Sequence, residues 1–392
     1  MSYPYNERQA RFIAIAQQLA PVFTERAAEF DRTGAFPHPN FADIRAAGLP
    51  KLIIPEEFGG WGANLLETVM VMEALGKGDG STALSLTMHM QTMGHAAETR
   101  SWPAPLFEQI CRDAVEKGWL INSIASEPEL GSPSRGGKPK TTAKPIYDNG
   151  DKPTAWLING HKNWASMVPE LDYMIVPALL QDGSEEVARF VVPKGPGLRI
   201  EETWDALGMR STGSHDLFLE NVEVPHANLL NRGDDAKSTA IGLTNAWFML
   251  TVSAVYLGVA ESAIAAAAKF ARNRIPTALG KPIATTENIQ RHMGQAQFLV
   301  QQAQAQLYHV AQLWVEHPNQ RVNLGSWVNV AKVTTTNNAI EAVDHCMRVV
   351  GGLSMMKTLP LERYYRDVRG GLNHPVNDDV AYIGLGKQAL SS

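Results

Sequence analysis

The sequence has little cysteine and no concentration of charge of one sign. Cys111 and Cys346 are the two cysteines in 392 residues, and they are far apart. Two isolated thiols exclude a disulfide framework and lack metal-ligand spacing, so we expect a cytoplasmic protein without a metal site. The net charge of −5 excludes a global basic field that would attract nucleic acid or an anionic membrane.

Long apolar stretches are also scarce. The first residues, MSYPYNERQ, are polar and lack the apolar core of a signal peptide. Ile241–Ala260 has no charged side chain and is about long enough to cross a bilayer. Because no lysine or arginine girdle flanks it closely, we interpret this stretch as a helix buried in a bundle and expect no membrane span.

The spacing of apolar residues divides the chain into three parts. Helical spacing predicts helices over the first 120 residues, at 6–33, 41–47, 64–77, 81–99 and 106–117. A period of two then predicts strands at 156–158, 173–180, 187–192 and 217–224. Helical signals return after residue 236, and a heptad pattern runs from Ile289 to Trp314. A further helix is predicted at 322–350, ended by a glycine pair.

These patterns predict an α+β protein that is mostly α-helical. The expected parts are an N-terminal helical domain (1–120), a middle β-sandwich or barrel domain (121–232) and a C-terminal four-helix bundle (233–392). The alanine- and glutamine-rich surfaces of the bundle suggest packing onto another subunit.

Two segments of the middle part carry the residues most suited to ligand chemistry. INSIASEPELGS begins at Ile121, and WLINGHKNWAS ends at Ser166. A Glu-Pro followed by glycine marks a sharp turn, where serine hydroxyls and free N–H groups bind phosphate or a polar ring edge. Trp164 lies two residues before Ser166, which on a strand places both on one face. This pattern suits a planar cofactor, and an ordinary pair of hairpins fits it equally well.

Several blocks of the sequence resemble the acyl-CoA dehydrogenase superfamily. The two segments contain its E-P-x-x-G-S and N-G-x-K-x-W-x-S patterns, and they are accompanied in order by PEEFGG, LGMRSTGSHD, VVGGLS and PLERYYRD. The resemblance implies a flavin between the β domain and the bundle, with FAD as cofactor and FMN in an oxygenase alternative. It also implies a small-molecule substrate such as an acyl-CoA, an electron-transfer flavoprotein or O2 as acceptor, and a homodimer or homotetramer.

The same resemblance assigns cofactor contacts. Trp164 is expected to cover the flavin ring, and Ser166 to bond near its N5 atom. Arg274 resembles an arginine that reaches across a dimer to the adenine half. The remaining expected contacts are Ser123, Ala125 and Ser126 at the flavin, Ser132 at its pyrophosphate, the Gly351–Gly352 pair, Asn377 and Asp379.

The carboxylate that removes the substrate's α proton in this family is missing. Counting nine residues from Arg366 reaches Pro375, and the alternative family position falls near Phe248. A local gap brings Asp378 or Asp379 into the site, or His374 serves instead. The two aspartates also fit a simple helix cap before Val380.

Three functions remain open at this stage. α,β-Dehydrogenation of an acyl-CoA thioester is the first expectation, because the resemblance spans most of the chain. Reduced-flavin-dependent monooxygenation is the second, because it needs no α-proton base, and flavin binding without turnover is the third. A polar set for the second comprises His89, Asn122, Ser166 and His374. Arg210, in the RSTGSHD turn, is a further pocket candidate, while a core position is the favoured interpretation of His89.

Overall fold

Five helices form the first part of the chain. The computed structural model describes residues 3–130, 137–148, 150–233 and 245–391. The helices are α1 (Glu7–Thr33), α2 (His38–Ala46), α3 (Leu65–Gly76), α4 (Gly80–Thr99) and α5 (Ala104–Glu116). Side-chain caps explain where several begin. Asn6 and Asn64 each form a capping box, with Gln9 and Glu67, and the Asp79 carboxylate accepts from the N–H of Thr82.

Eight strands follow and join in one sheet. They are β1 (Ile121–Ser123), β2 (Thr142–Ile146), β3 (Ala155–Ala165), β4 (Tyr173–Leu180), β5 (Val187–Pro193), β6 (Leu198–Glu201), β7 (His215–Pro225) and β8 (Leu229–Arg232). The order is β6-β7-β3-β2-β4-β5-β8, and β1 pairs in parallel with β4. Trp156 of β3 packs on Phe190 of β5 with ring centroids 5.5 Å apart. Because β1 pairs with β4, the INS segment at residues 121–123 lies beside the start of the central strand β4.

The end of β3 departs from regular strand geometry. Its pairing with β7 shifts register between Lys162 and Ala165, and Trp164 has a φ of +54°. Such a bulge interrupts the alternation of side chains across a strand. Ser166 follows the last residue of β3. The strand argument that placed Trp164 and Ser166 on one face therefore does not apply, and their positions depend on the bulge.

The last part of the chain is again helical. Its helices are α6 (Ala246–Asn273), α7 (Glu287–Glu316), α8 (Gly325–Val350), α9 (Leu361–Asp367) and α10 (Asp378–Ser391). α6 packs against α3, α4, α7 and α8. Within the described ranges it is the one helix apolar and long enough to cross a membrane, and 67% of its most apolar stretch is buried inside the protein. The heptad seam of α7 is buried from Ala296 to Trp314.

The mostly α-helical α+β class, with helices, then a sheet, then a helical bundle, is confirmed. The domain limits at 120 and 232 stay a prediction, since residues 234–244 lie outside the described ranges.

Two glycines allow α3 and α6 to cross at backbone contact. A Cβ atom on Gly258 would lie 2.2 Å from the carbonyl oxygen of Glu73, and one on Gly76 would lie 2.6 Å from that of Val255. No side chain fits at these distances, so the helices approach as closely as their backbones permit. This contact sets the position of α6, and with it Tyr256 two residues before Gly258.

Replacing Gly258 by alanine is expected to lower the free energy of unfolding by about 3 kcal/mol, because backbone must move to admit the methyl group. Gly294, exposed on α7, is the matched control, since nothing lies within 4 Å of a Cβ there. Gly294→Ala is expected to raise that free energy by about 0.5–1 kcal/mol through helix propensity. Urea unfolding of both variants checks this, and equal effects would contradict the close crossing.

Candidate active site

A buried ion pair joins the two motif segments. Lys162 Nζ donates to Glu127 Oε1 at 2.6 Å, and their side chains are 0% and 1% exposed. Glu127 also accepts from Thr141 Oγ1 at 2.7 Å, and Lys162 donates to the carbonyl of Pro177 at 2.8 Å. Burial opposes the charge of Glu127, but hydrogen bonds from Lys162 and Thr141 leave the pKa of its carboxyl below the ordinary value. Both residues belong to the two motif segments, but their pairing was not predicted from the sequence.

Two further hydrogen bonds position the backbone of these segments. The N–H of Asn163 donates to the carbonyl of Ser126 at 3.1 Å. Asn122 Nδ2 donates to the carbonyl of Ser166 at 3.0 Å, and Asn122 is 3% exposed. The amide nitrogen of Asn122 holds the turn that carries Ser166, and its role at a pocket stays a prediction. The structure thus joins Asn122 to Ser166 and Ser126 to Asn163.

Trp164 is the exposed aromatic of this site. Its residue is 61% exposed, and its positive φ is rare for a bulky side chain. The β3 bulge holds it in this conformation beside the half-buried Ser166. Ser123, Ala125 and Ser126 are partly exposed in the adjoining segment. An open indole, small hydroxyls and backbone groups fit a flat ring with polar edges, so the residues present fit a flavin.

A chain of hydroxyl groups runs inward from Ser166. Its Oγ lies 2.8 Å from Ser214 Oγ, which lies 2.8 Å from Thr212 Oγ1, and Thr212 Oγ1 donates to the carbonyl of Met209 at 3.1 Å. We call Ser166, Ser214 and Thr212 the hydroxyl chain. The N–H of Met209 donates to Asp367 Oδ1 at 2.6 Å. Burial raises the pKa of Asp367 to about 7, against the effect of this N–H.

His374 lies against α6. Its Nε2 is 2.8 Å from the hydroxyl of Tyr256, and its ring meets Phe248 edge to face at 5.7 Å. Burial, helped by the charge of Lys332, lowers the pKa of His374 to about 4, so the imidazole is neutral at pH 7. The distance fits either direction of this hydrogen bond: the Tyr256 hydroxyl donates to a bare Nε2, or Nε2–H donates to the hydroxyl oxygen.

The residues after His374 begin the last helix. Asn377 Oδ1 accepts from the N–H of Val380 at 3.1 Å, so Asn377 is the residue that caps α10. Asp378 Oδ2 accepts from Asn337 Nδ2 at 2.9 Å, and Asp379 is exposed in the first helical turn. Carboxylates in a first turn interact favourably with the helix dipole. Neither aspartate has a hydrogen bond to His374, and the cap predicted at Asp378–Asp379 is Asn377 instead.

Two of the predicted pocket residues form hydrogen bonds with backbone groups of the protein. His89 is fully buried, with Nε2 2.8 Å from the carbonyl of Pro50, and its Nδ1 accepts from the N–H of Ile121 at 3.3 Å. Burial lowers the pKa of His89 to about 4. Arg210 donates to the carbonyl of Asp31 at 2.8 Å and pairs with a neighbouring acidic side chain. His89 thus has the core position that was its favoured interpretation, and a pocket role of Arg210 stays a prediction.

The residues expected to contact the adenine half of the cofactor are exposed. Arg274 follows α6, is exposed, and lines a groove of about 610 Å³ together with Phe270 and Tyr364. Gly351 has a φ of +70°, and nothing lies within 4 Å of a Cβ on it or on Gly352. Ser132 lies outside the described residues. The cofactor roles of these residues stay predictions.

Glu127→Gln is expected to lower the free energy of unfolding by about 3–5 kcal/mol, because it leaves the Lys162 ammonium buried without its charge partner. The double variant Glu127→Gln/Lys162→Met removes both charges and is expected to be more stable than either single variant. Urea unfolding of the three proteins tests this coupling. Additive losses in the double variant would contradict an ion pair that acts as one unit.

Comparison with known proteins places this arrangement in one family. Models described as the N-terminal, middle and C-terminal domains of acyl-CoA dehydrogenase match residues 7–100, 123–222 and 250–379. The putative acyl-CoA dehydrogenase YdbM of Bacillus subtilis is 36% identical over 99% of this chain and 98% of its own.

Two further similar proteins are named for different reactions. Dibenzothiophene monooxygenase of Mycolicibacterium goodii is 25% identical over 96% of this chain and 92% of its own. The structure of butyryl-CoA dehydrogenase from Megasphaera elsdenii superposes with a TM-score of 0.86 over all of both chains at 20% identity, which shows the shared fold. The chain therefore belongs to the acyl-CoA dehydrogenase family, a family of flavoprotein oxidoreductases.

Proposed function

We propose that this protein is a flavin-dependent monooxygenase that works with reduced flavin. The observation that carries the proposal is the neutral His374, held by Tyr256 and packed on Phe248, where a dehydrogenase needs a carboxylate. Removal of an α proton calls for a base aimed at the substrate with a pKa near the working pH. Pro375 and Phe248 have no titratable group, and a histidine with a pKa of about 4 is a weak base.

The two aspartates are held away from His374. Asp378 accepts from Asn337 through Oδ2 while its Oδ1 is buried without a partner among the described residues, and Asp379 is exposed at the start of α10. In the described part of the chain, no carboxylate is hydrogen-bonded to His374 or Tyr256. We therefore rank monooxygenation, which needs no α-proton base, above α,β-dehydrogenation.

When bound and reduced, the flavin supplies the two electrons with which O2 becomes one inserted oxygen atom and water. The protein's own groups have separate tasks. The indole of Trp164 would cover the ring, and the hydroxyl of Ser166 would bond at its edge. His374 is held by Tyr256 at Nε2, and its neutral imidazole is the polar group that faces away from this contact through Nδ1. Phe248 covers one edge of that imidazole and limits access of water.

α,β-Dehydrogenation of an acyl-CoA is the second candidate. It is favoured by the 36% identity with YdbM, which is named a putative acyl-CoA dehydrogenase. FAD is the proposed cofactor, since Arg274 and the Gly351–Gly352 pair resemble groups that serve an adenine half, and FMN is the alternative. We also propose a cytoplasmic homodimer or homotetramer. Tyr382 and Ile383 of α10 are each 58% exposed, which is consistent with a covering subunit.

The flavin position is tested with two exposed tryptophans. Trp164→Ala is expected to weaken flavin binding about tenfold through the loss of stacking. Trp327 is the matched control, because it is 55% exposed and outside the proposed site. Fluorescence titration of the purified variants with FAD and FMN measures both affinities. Equal affinity in the two variants would remove Trp164 from the flavin site.

The reaction is tested by titrating the flavin-loaded protein with short- to long-chain acyl-CoA thioesters without oxygen. We expect the visible flavin absorbance to persist, because the site lacks an α-proton base. Tighter binding of reduced than of oxidised flavin is expected in a parallel titration. Bleaching by an acyl-CoA would replace the proposal with the dehydrogenase, and failure to bind either flavin would leave only the fold in common with the family.

A further inference from the structure

The hydroxyl chain ends on a group that can only accept. Its three hydroxyls provide three hydrogens, and it contains three links, of which the last ends on the carbonyl of Met209. All three links are made only when Thr212 donates to Met209, Ser214 donates to Thr212, and Ser166 donates to Ser214. In that arrangement the hydrogen of Ser166 points inward. The outer side of Ser166 Oγ then presents only lone pairs.

Burial makes this arrangement persistent. Thr212 is 1% exposed and Ser214 is 4% exposed, so water does not replace a missing link within the chain. A buried hydroxyl that loses its partner forfeits a hydrogen bond without compensation. The direction of the whole chain is therefore set at its buried end, and Ser166 at the outer end follows it.

We propose that the hydroxyl chain makes Ser166 a hydrogen-bond acceptor toward the flavin, so that the site favours the reduced over the oxidised cofactor. The N5 atom of reduced flavin carries a hydrogen, whereas N5 of oxidised flavin has only a lone pair. The inference rests on the proposed function in that a flavin is the ligand beside Trp164 and Ser166. It adds Ser214 and Thr212 as positioning residues that act through Ser166.

The size of the preference for reduced flavin follows from the cost of reversing the hydroxyl chain. If Ser166 donates outward, Ser214 donates to Ser166 and Thr212 donates to Ser214. Met209 then loses the Thr212 hydroxyl and keeps the bond from Trp204 Nε1 at 3.0 Å. Reversal thus costs one buried hydrogen bond, which corresponds to about five- to tenfold in the ratio of the two flavin affinities.

The test measures the dissociation constants of oxidised FAD and of photoreduced FAD, without oxygen, on each protein. Ser214→Ala and Thr212→Val interrupt the chain and free the hydrogen of Ser166. The ratio of the oxidised to the reduced constant is expected to fall about five- to tenfold in both. A tenfold fall equals a decrease of about 30 mV in the two-electron potential of the bound flavin, which redox titration measures independently.

Two controls separate this effect from simple damage to the loop. Thr212→Ser keeps a hydroxyl in the chain and is expected to retain the wild-type ratio. Ser85 donates to the backbone carbonyl of Thr212 at 3.2 Å without belonging to the chain, so Ser85→Ala is also expected to retain it. Because each ratio compares two ligands on one preparation, a general loss of folded protein cancels.

The outcomes distinguish this inference from the function on which it rests. The inference is supported if the ratio of the oxidised to the reduced dissociation constant falls in Ser214→Ala and Thr212→Val and stays unchanged in the two controls. Unchanged ratios in both, with flavin still bound, overturn the inference and leave the flavoprotein intact. If the wild-type protein binds neither form of FAD or FMN, the proposed function fails and the inference fails with it.

Discussion

The backbone of Met209 is the point at which the β domain and the helical bundle are joined beside the site. Its N–H donates to the buried Asp367, and its carbonyl accepts from Trp204 and Thr212. A Cβ on Gly370 would lie 3.6 Å from the Met209 side chain and 2.7 Å from the hydroxyl of Tyr256. Met209 therefore receives the inner end of the hydroxyl chain, and Gly370 is the residue that lies near both its side chain and Tyr256 of α6.

The position of α6 is the second constraint. Phe248 and Tyr256 lie two turns apart on this helix, and His374 contacts both. The crossing at Gly258 sets how deeply α6 lies against α3. His374 is thus held against α6 by a partner whose helix is positioned through a backbone crossing.

Local pattern was enough to predict the long elements of this fold, whereas the short strands β2, β6 and β8 were not predicted. The helices at 64–77 and 81–99 follow from apolar spacing and from caps at Asn64 and Asp79, both of which are local signals. The strand argument for Trp164 failed because a bulge depends on the pairing partner β7, which one strand does not reveal. Distant pairing also explains why Glu127 and Lys162 were missed, since 35 residues separate them. The sequence around a single histidine likewise does not distinguish His89, whose two ring nitrogens bond to backbone groups, from His374, which bonds to Tyr256.

Two independent features of the site point to the same form of the cofactor. The first is the absence of a carboxylate at Pro375 and Phe248, which disfavours proton removal from a substrate carbon. The second is the inward direction that we infer for the Ser166 hydrogen from the hydroxyl chain, which favours a ligand that donates at the ring edge. The first lies in the bundle and the second in the β domain, and no residue contributes to both. Under the proposed function both features have one reason: a site that receives a flavin already reduced needs an acceptor at the ring edge, which Ser166 would provide, and it needs no base on α6.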